Sequence, residues 1–398
     1  MSTTRPDLDL LDPAFYLDDP HAAYRWMRAN EPVYRAHAND LWAVTRHADV
    51  HDVESRNEVF VSGQGYRSFW SPGETNMIAQ DDPRHAEQRK LVSRRFTPKA
   101  VRGHEAWMSA TVTDLIDAFA GDGPGTAGAV EVVEALAAPL PCRLTARLLG
   151  WPEERWAEVK SWSERLMQYD RLPFDADAGL AMMNAIVEFN TDLLTMVEER
   201  RGCPMDDLVS VWAGAEIDGH ALDHETIMHE TGLFISGGAE TTRTVIARAL
   251  RTFCDHPDQW ELLANDPARV PAAVDEMVRW VTPLHNFFRT AVTDTTIGDQ
   301  AIAAGDRIML LYPSANRDEA VFHDPDRFDV TRSPNPHLGF GFGTHFCLGA
   351  SLARFELTTL FTQLTRRLTN LRVVTEPDDE PNVFAHAVRS FTLGFDVR

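Results

Sequence analysis

The sequence predicts one large, mostly α-helical unit with a minor β portion. Three observations carry that expectation. Apolar residues recur at helical spacing over several long stretches, β-like runs are short and few, and no repeat or Pro- or Gly-rich hinge divides the 398 residues. Length alone would suit two or three ordinary domains or one unusually large one. The missing hinge favours residues 1–398 as a single domain.

Ala22–Ala29 reads as an early helix and Leu41–Thr45 as a short strand. Residues 62–78 are rich in Gly, Ser and Pro and lack a clean period, yet they carry Tyr66, Phe69, Trp70 and Met77. Apolar side chains on a long loop either pin it down or line something. Helical patterns follow at about 106–119, 154–167, 179–200 and 223–254, with a shorter one over 271–280 and a last over 350–367. Gly121–Ala129 reads as a surface turn or loop. Short β-like runs fall at 291–297, 307–312 and 383–396.

Hydrophobic residues make up 44% of the chain and charged ones 25%, the balance of a water-soluble globular protein. Met1–Asp12 is polar and acidic, so no export signal is expected. No stretch reaches the roughly 18 uninterrupted apolar residues of a membrane span. Cys142, Cys203, Cys254 and Cys347 form no close pair, which argues against a zinc site or a disulfide framework. A cytoplasmic monomer is the simplest expectation. The formal charge of -22 argues against nucleic acid as a partner. Arg84, Arg89, Lys90, Arg94, Arg95, Lys99 and Arg102 form a local basic run, either a solvated helix face or a dock for an acidic partner.

The sharpest local signal is His337-Leu-Gly-Phe-Gly-Phe-Gly-Thr-His-Phe-Cys347-Leu-Gly349, followed by a helix. Glycines allow unusual dihedrals and close approach of backbone to a bulky flat ligand. The helix start favours a thiolate through its unpaired N–H groups. A lone thiolate among glycines suits an iron porphyrin better than zinc, which takes several protein ligands. A buried, inert cysteine is the blander alternative.

Within the 223–254 helix stands Gly237-Gly238-Ala239-Glu240-Thr241-Thr242. Two glycines inside a helix cost about 1 kcal/mol each relative to alanine. Gly237 and Thr241 share a face, leaving room for a flat cofactor and a small ligand one turn before a hydroxyl. A helix kink with an ordinary threonine back-bond is the competing account. Glu276 and Arg279 stand at i, i+3, and His85 and Arg89 at i, i+4, each pair on one helix face.

Together these motifs resemble the cytochrome P450 family, over nearly the whole chain. Phe340-Gly-x-Gly-x-His-x-Cys347-x-Gly349 is similar to its haem-binding loop at every signature position. The resemblance implies a triangular helical P450 fold around one haem b. Cys347 is then the iron ligand, with Phe340 and Gly349 packing beside it. Gly237 and Gly238 face the cofactor, while Thr241 and Glu240 form the pair that meets dioxygen and admits protons. His85, Arg89, Arg289 and His345 match propionate contacts, with His337 as a weaker candidate. Glu276, Arg279 and Arg327 match the family's structural ion-pair network.

The same resemblance implies a monooxygenase that inserts one oxygen atom of O2 into a C–H bond. The chain carries no flavin or iron–sulfur module and no dinucleotide fingerprint. Electrons from NAD(P)H are therefore expected through a separate ferredoxin and ferredoxin reductase. A peroxygenase and a non-enzymatic gas sensor or carrier are the alternatives; neither explains the acid–threonine pair. Phe69, Trp70, Met77, Leu233, Ser236, Leu284, Phe287 and Val388 are the expected lining for a small apolar substrate, although each also suits ordinary core. Ala23–Asn30, Glu276–Trp280 and Ser333–His337 resemble actinobacterial P450s that oxidise the side chain of cholesterol or cholest-4-en-3-one. The loop Gly63–Met77 departs from them. Terpenoids, fatty acids and polyketide-type compounds remain alternative substrates.

Overall fold

A computed structural model describes residues 5–17, 19–121, 123–173 and 175–398. Its axis is a 32-residue helix, His224–Asp255, hereafter the central helix. Asp223 caps it by accepting from the Thr226 N–H at 2.7 Å, and Pro257 opens the next helix after its end. Ile227, Ile235, Ile246, Leu250 and Phe253 recur every three or four residues or at multiples of that spacing, and all are buried. The central helix packs against Pro139–Leu149 and Trp156–Leu166 on one side and the helices Val270–Val281 and Ala350–Arg367 on another. Among the described residues, no helix is long and apolar enough to cross a membrane.

The β portion has two main parts. One is a five-stranded sheet in the order Val33–Ala36, Leu41–Val44, Arg307–Leu311, Asn286–Ala291, Phe60–Val61. Its register sets Ile308 opposite Arg289 and Leu310 opposite Phe287. Strand residues two apart share a face, so Phe287 and Arg289 reach one cavity together. The other is a three-stranded sheet of Leu368–Asp379, Val388–Val397 and Ala127–Glu131.

The seven helical expectations hold to within a few residues. Two readings need correction, and one helix was not anticipated. The run 291–297 is split: Asn286–Ala291 ends in the large sheet, and Thr295–Ile297 forms a hairpin with Gln300–Ile302. The end of the supposed loop 121–129 is a strand, with Val130 opposite Leu393. Pro139–Leu149 is a helix although its first turn holds Pro139 and Pro141. Prolines there cost no helical hydrogen bond, because the first N–H groups have no intrahelical acceptor.

Candidate active site

The cysteine loop is built by its glycines. Gly341 and Gly343 adopt φ of 66° and 68°, a region that side chains strain to enter. A Cβ on Gly343 would also run into the carbonyl of Glu54. The chain turns so that the Cys347 N–H donates to the Phe340 carbonyl at 2.8 Å. The helix Ala350–Arg367 starts three residues on. The Cys347 sulfur opens onto an internal cavity, yet protein encloses that cavity around it. Burial pushes its thiol up, opposed by the N–H groups of Gly349 and Ala350 and by the Arg89 and Arg354 guanidinium groups. Of the four cysteines, it alone lines the cavity. Burial pushes Cys254 up to about 11 against the pull of Arg251, and Cys142 higher still against that of Arg243.

Across the cavity lies the central helix. Gly237 and Gly238 both border the space, but for different reasons. A Cβ on Gly237 would meet nothing within 4 Å, whereas one on Gly238 would stand 2.7 Å from Thr145 Oγ1. Gly237 therefore leaves the cavity wide, and Gly238 lets two helices meet. The Thr241 hydroxyl donates to the Gly237 carbonyl at 3.0 Å and also borders the cavity. The back-bond and the cavity position thus coexist, and the helix stays continuous from His224 to Asp255.

Glu240 is buried and turned away from the cavity. Its Oε2 accepts from Arg243 Nη2 at 2.6 Å and its Oε1 from Thr244 at 3.2 Å. Arg243 also holds Glu164 at 2.5 Å, which pairs with Lys160 at 3.0 Å; Lys160 holds the exposed Glu134 at 2.8 Å. A chain of charges therefore links Glu240 to the surface.

Four donors converge at one end of the cavity: His85, Arg89, Arg289 and His345. His85 Nδ1 meets Asp82 at 3.2 Å, while its Nε2 is buried with no partner. Burial lowers His85 against the opposing pull of Asp82. His345 falls well below the usual histidine range through burial, then through Arg289, His85 and Arg89. Arg89 donates to the Phe346 carbonyl at 2.6 Å. Two guanidinium groups, and an orphaned imidazole nitrogen that becomes a donor when its ring is protonated, face one space as a ligand with carboxylates would require. With a thiol on one wall and the bare Gly237 on the other, the residues fit haem.

Met77, Leu233, Ser236, Leu284 and Phe287 line the cavity as expected; Phe69, Trp70 and Val388 do not. Phe69 stacks on Tyr169 at 4.6 Å and Trp70 is 56% exposed, both beside a separate pocket formed by their own loop. The loop is pinned by these contacts and does not point them inward. Val388 opens the C-terminal strand opposite Asp379 and is buried in the core. The segment just before it crosses the cavity, where Ala385 bridges to Leu284 and Phe384 supplies the wall.

Two ion-pair expectations also change. Arg279 binds Glu276 with both arms, at 2.7 and 2.8 Å, with both side chains fully buried. The third member is Arg332, whose Nε lies 3.1 Å from Glu276 Oε2. Arg327 is exposed and offers only its carbonyl, to Arg279 at 3.2 Å. His337 faces Asp275 at 3.2 Å, away from the donor cluster.

Among the cavity residues that the sequence did not single out are Glu54, Tyr312 and Glu356. Glu356 Oε1 is buried without a partner, and burial raises its carboxyl to about 8. Its signal was present, since Leu352, Glu356 and Leu360 repeat every four residues and put an acid on a buried face. Glu54 carries no comparable pattern.

This arrangement fits a haem-thiolate site: one cysteine lines the cavity, a hydroxyl-bearing helix stands opposite, and cationic side chains border the same space. A family model described as Cytochrome P450 matches residues 268–393. A steroid C26-monooxygenase of Mycobacterium tuberculosis is 41% identical over 94% of this chain and 92% of its own. One of Mycolicibacterium smegmatis is also 41% identical, over 95% and 92%. A cytochrome P450 of Mycobacterium marinum, solved with pseudoionone, superposes with a TM-score of 0.87 at 34% identity, covering 98% of this chain and 100% of that one. The chain belongs to the cytochrome P450 family and is a P450 monooxygenase.

Proposed function

We propose that this enzyme hydroxylates the terminal side-chain carbon of a steroid such as cholest-4-en-3-one. The observation that carries this reading is the 41% identity to steroid C26-monooxygenases over nearly the full chain. The apolar lining by Met77, Leu233, Leu284, Phe287 and Phe384 supports it. Burying a rigid hydrocarbon body against that lining is favourable by roughly 25 cal/mol per Å².

In this reading Cys347 ligates haem b. His85, Arg89, Arg289 and His345 hold its propionates, and Phe340 and Gly349 pack beside the sulfur. Haem bound there supplies the activation of dioxygen. Gly237 leaves the space that the small ligand needs, and Thr241 presents its hydroxyl to that space. Glu240, once released from Arg243, swings toward Thr241 and passes protons there from solvent. Apolar walls keep bulk water from the reacting carbon. Electrons come from NAD(P)H through a ferredoxin and its reductase in the cytoplasm. Lys90, Arg94, Lys99 and Arg102 form the exposed docking face, while Arg95 is held by Asp206 at 2.6 Å.

The test is a binding screen with sterols, steroids, terpenoids and fatty acids, read by the low-to-high-spin shift of the haem band. A shift with cholest-4-en-3-one and a product hydroxylated at the side-chain terminus are expected. A response confined to terpenoids or fatty acids would overturn the steroid assignment and leave the monooxygenase intact.

A further inference from the structure

Glu54 stands at the end of the helix His47–Ser55, directly beneath the cysteine loop. Its side chain is 2% exposed. Oε1 accepts from the Tyr312 hydroxyl at 2.8 Å and lies 3.8 Å from Arg289 Nη2. Oε2 is buried with no side-chain partner, and the Phe342 amide is the one backbone group that pulls on the carboxylate. This is an incomplete site for a carboxylate. A buried anion normally collects several donors or a two-pronged arginine, and Arg289 spends one arm on the Phe288 carbonyl at 2.8 Å. The same arginine borders the cavity, and so do Glu54 and Tyr312.

We infer that Glu54 is a proton-exchanging residue that sets the reduction potential of the haem by sharing Arg289 with a propionate. The inference rests on the haem reading of the cavity. When Glu54 is neutral, the guanidinium charge is left for the propionate. When Glu54 ionises, a second buried anion competes for that charge, and the added electron on reduction is opposed by a like charge. The reduced protein therefore holds the Glu54 proton more tightly than the oxidised one. One electron enters the haem and, in the window where Glu54 titrates, a proton enters from solvent.

The window is set by the surroundings. Burial raises the Glu54 carboxyl to about 7, against the lowering pull of Arg289, Tyr312 and the Phe342 amide. The groups facing it are Arg289 from the strand Asn286–Ala291 and Tyr312 from the short helix Tyr312–Ala315. His345 lies beyond, facing Arg289. The potential should fall as pH rises through the neutral range, by less than the tenfold change in equilibrium per pH unit of full coupling.

The experiment is spectroelectrochemical titration of the ferric/ferrous couple in haem-loaded protein between pH 5.5 and 9 (about the range in which a raised carboxyl titrates). Wild type should show the falling segment. Glu54→Gln, which keeps an acceptor for Tyr312, should be flat and sit at the wild-type low-pH value. Tyr312→Phe removes a donor to the carboxylate and should move the falling segment to higher pH, a readout that serves if Glu54→Gln fails to load haem. A flat wild-type profile overturns the inference. So does a slope that survives Glu54→Gln, or one that disappears in His85→Asn instead. Failure of the haem reading is separate and visible first, as wild-type protein that binds no haem through Cys347.

Discussion

Arg332 Nε donates to Glu276 Oε2 at 3.1 Å, adding a second guanidinium to a carboxylate that Arg279 already grips with two bonds. Glu276 also accepts from the Asp329 N–H at 2.9 Å and from Asn335 at 3.2 Å. Two segments, the helix Val270–Val281 and residues 329–335, are thereby tied together on one buried anion just ahead of the cysteine loop. Arg332→Ala should lower the stability of haem-loaded protein by about 1.5–3 kcal/mol, the range for a hydrogen bond to a charged group. Arg327→Ala, at an exposed position, should stay within about 0.5 kcal/mol. Urea unfolding of both variants checks the ranking.

The iron ligand is tested by the reduced carbon monoxide complex. Wild type should absorb near 450 nm (about the position that marks thiolate ligation). Cys347→Ser should lose that band, and serine or alanine at 142, 203 or 254 should keep it.

Thr241→Ala should load haem and bind substrate normally, yet yield less product per NAD(P)H consumed. The remaining electrons should appear as peroxide or excess water. Coupling equal to wild type would confine Thr241 to its back-bond with Gly237.

Partner docking is electrostatic in this account. Arg94→Glu and Arg102→Glu should slow first-electron transfer from ferredoxin without changing substrate affinity. The loss should shrink with added salt, because exposed charges are screened beyond about 8 Å at physiological ionic strength. Stopped-flow reduction across a salt series measures it.

Glu230 predicts a pH-dependent stability. Its Oε1 accepts from the Met77 N–H at 3.0 Å, its Oε2 has no partner, and burial raises the carboxyl to about 8. The folded state then holds the proton more tightly than the unfolded chain. Stability falls as pH rises from the unfolded value near 4.5 through the folded one. Glu230→Gln keeps the acceptor for Met77 and removes that loss. It should be close to neutral at low pH and stabilising above pH 8 by a few kcal/mol, on the order of 1.4 for each pH unit between the unfolded and folded values. Thermal unfolding at both ends of the range decides it.

Much of this molecule was legible because its signals are local. A helix as long as His224–Asp255 repeats its apolar spacing many times, and the cysteine loop compresses its glycines into thirteen residues. The hidden parts depend on tertiary contacts. Phe69 and Val388 are apolar and near the cavity in sequence logic, but stacking on Tyr169 and pairing opposite Asp379 turn them elsewhere. Arg327 and Arg332 differ by five residues, and only the folded path shows which side chain meets Glu276. Glu54 lies nearly 300 residues from Cys347, and a carboxylate on a short helix gives no sign that a distant loop will close over it.

Gly237 and Gly238 are neighbours with opposite tolerance for change. A Cβ at 238 would stand 2.7 Å from the Thr145 hydroxyl, which must shift to admit it, so that position is constrained by the neighbouring helix. A Cβ at 237 meets nothing within 4 Å and enters the working space of the enzyme. A small side chain at 237 can therefore reshape what fits beside the reactive centre without its Cβ meeting a neighbour. Position 237 is a point at which selectivity can drift while the fold stands still.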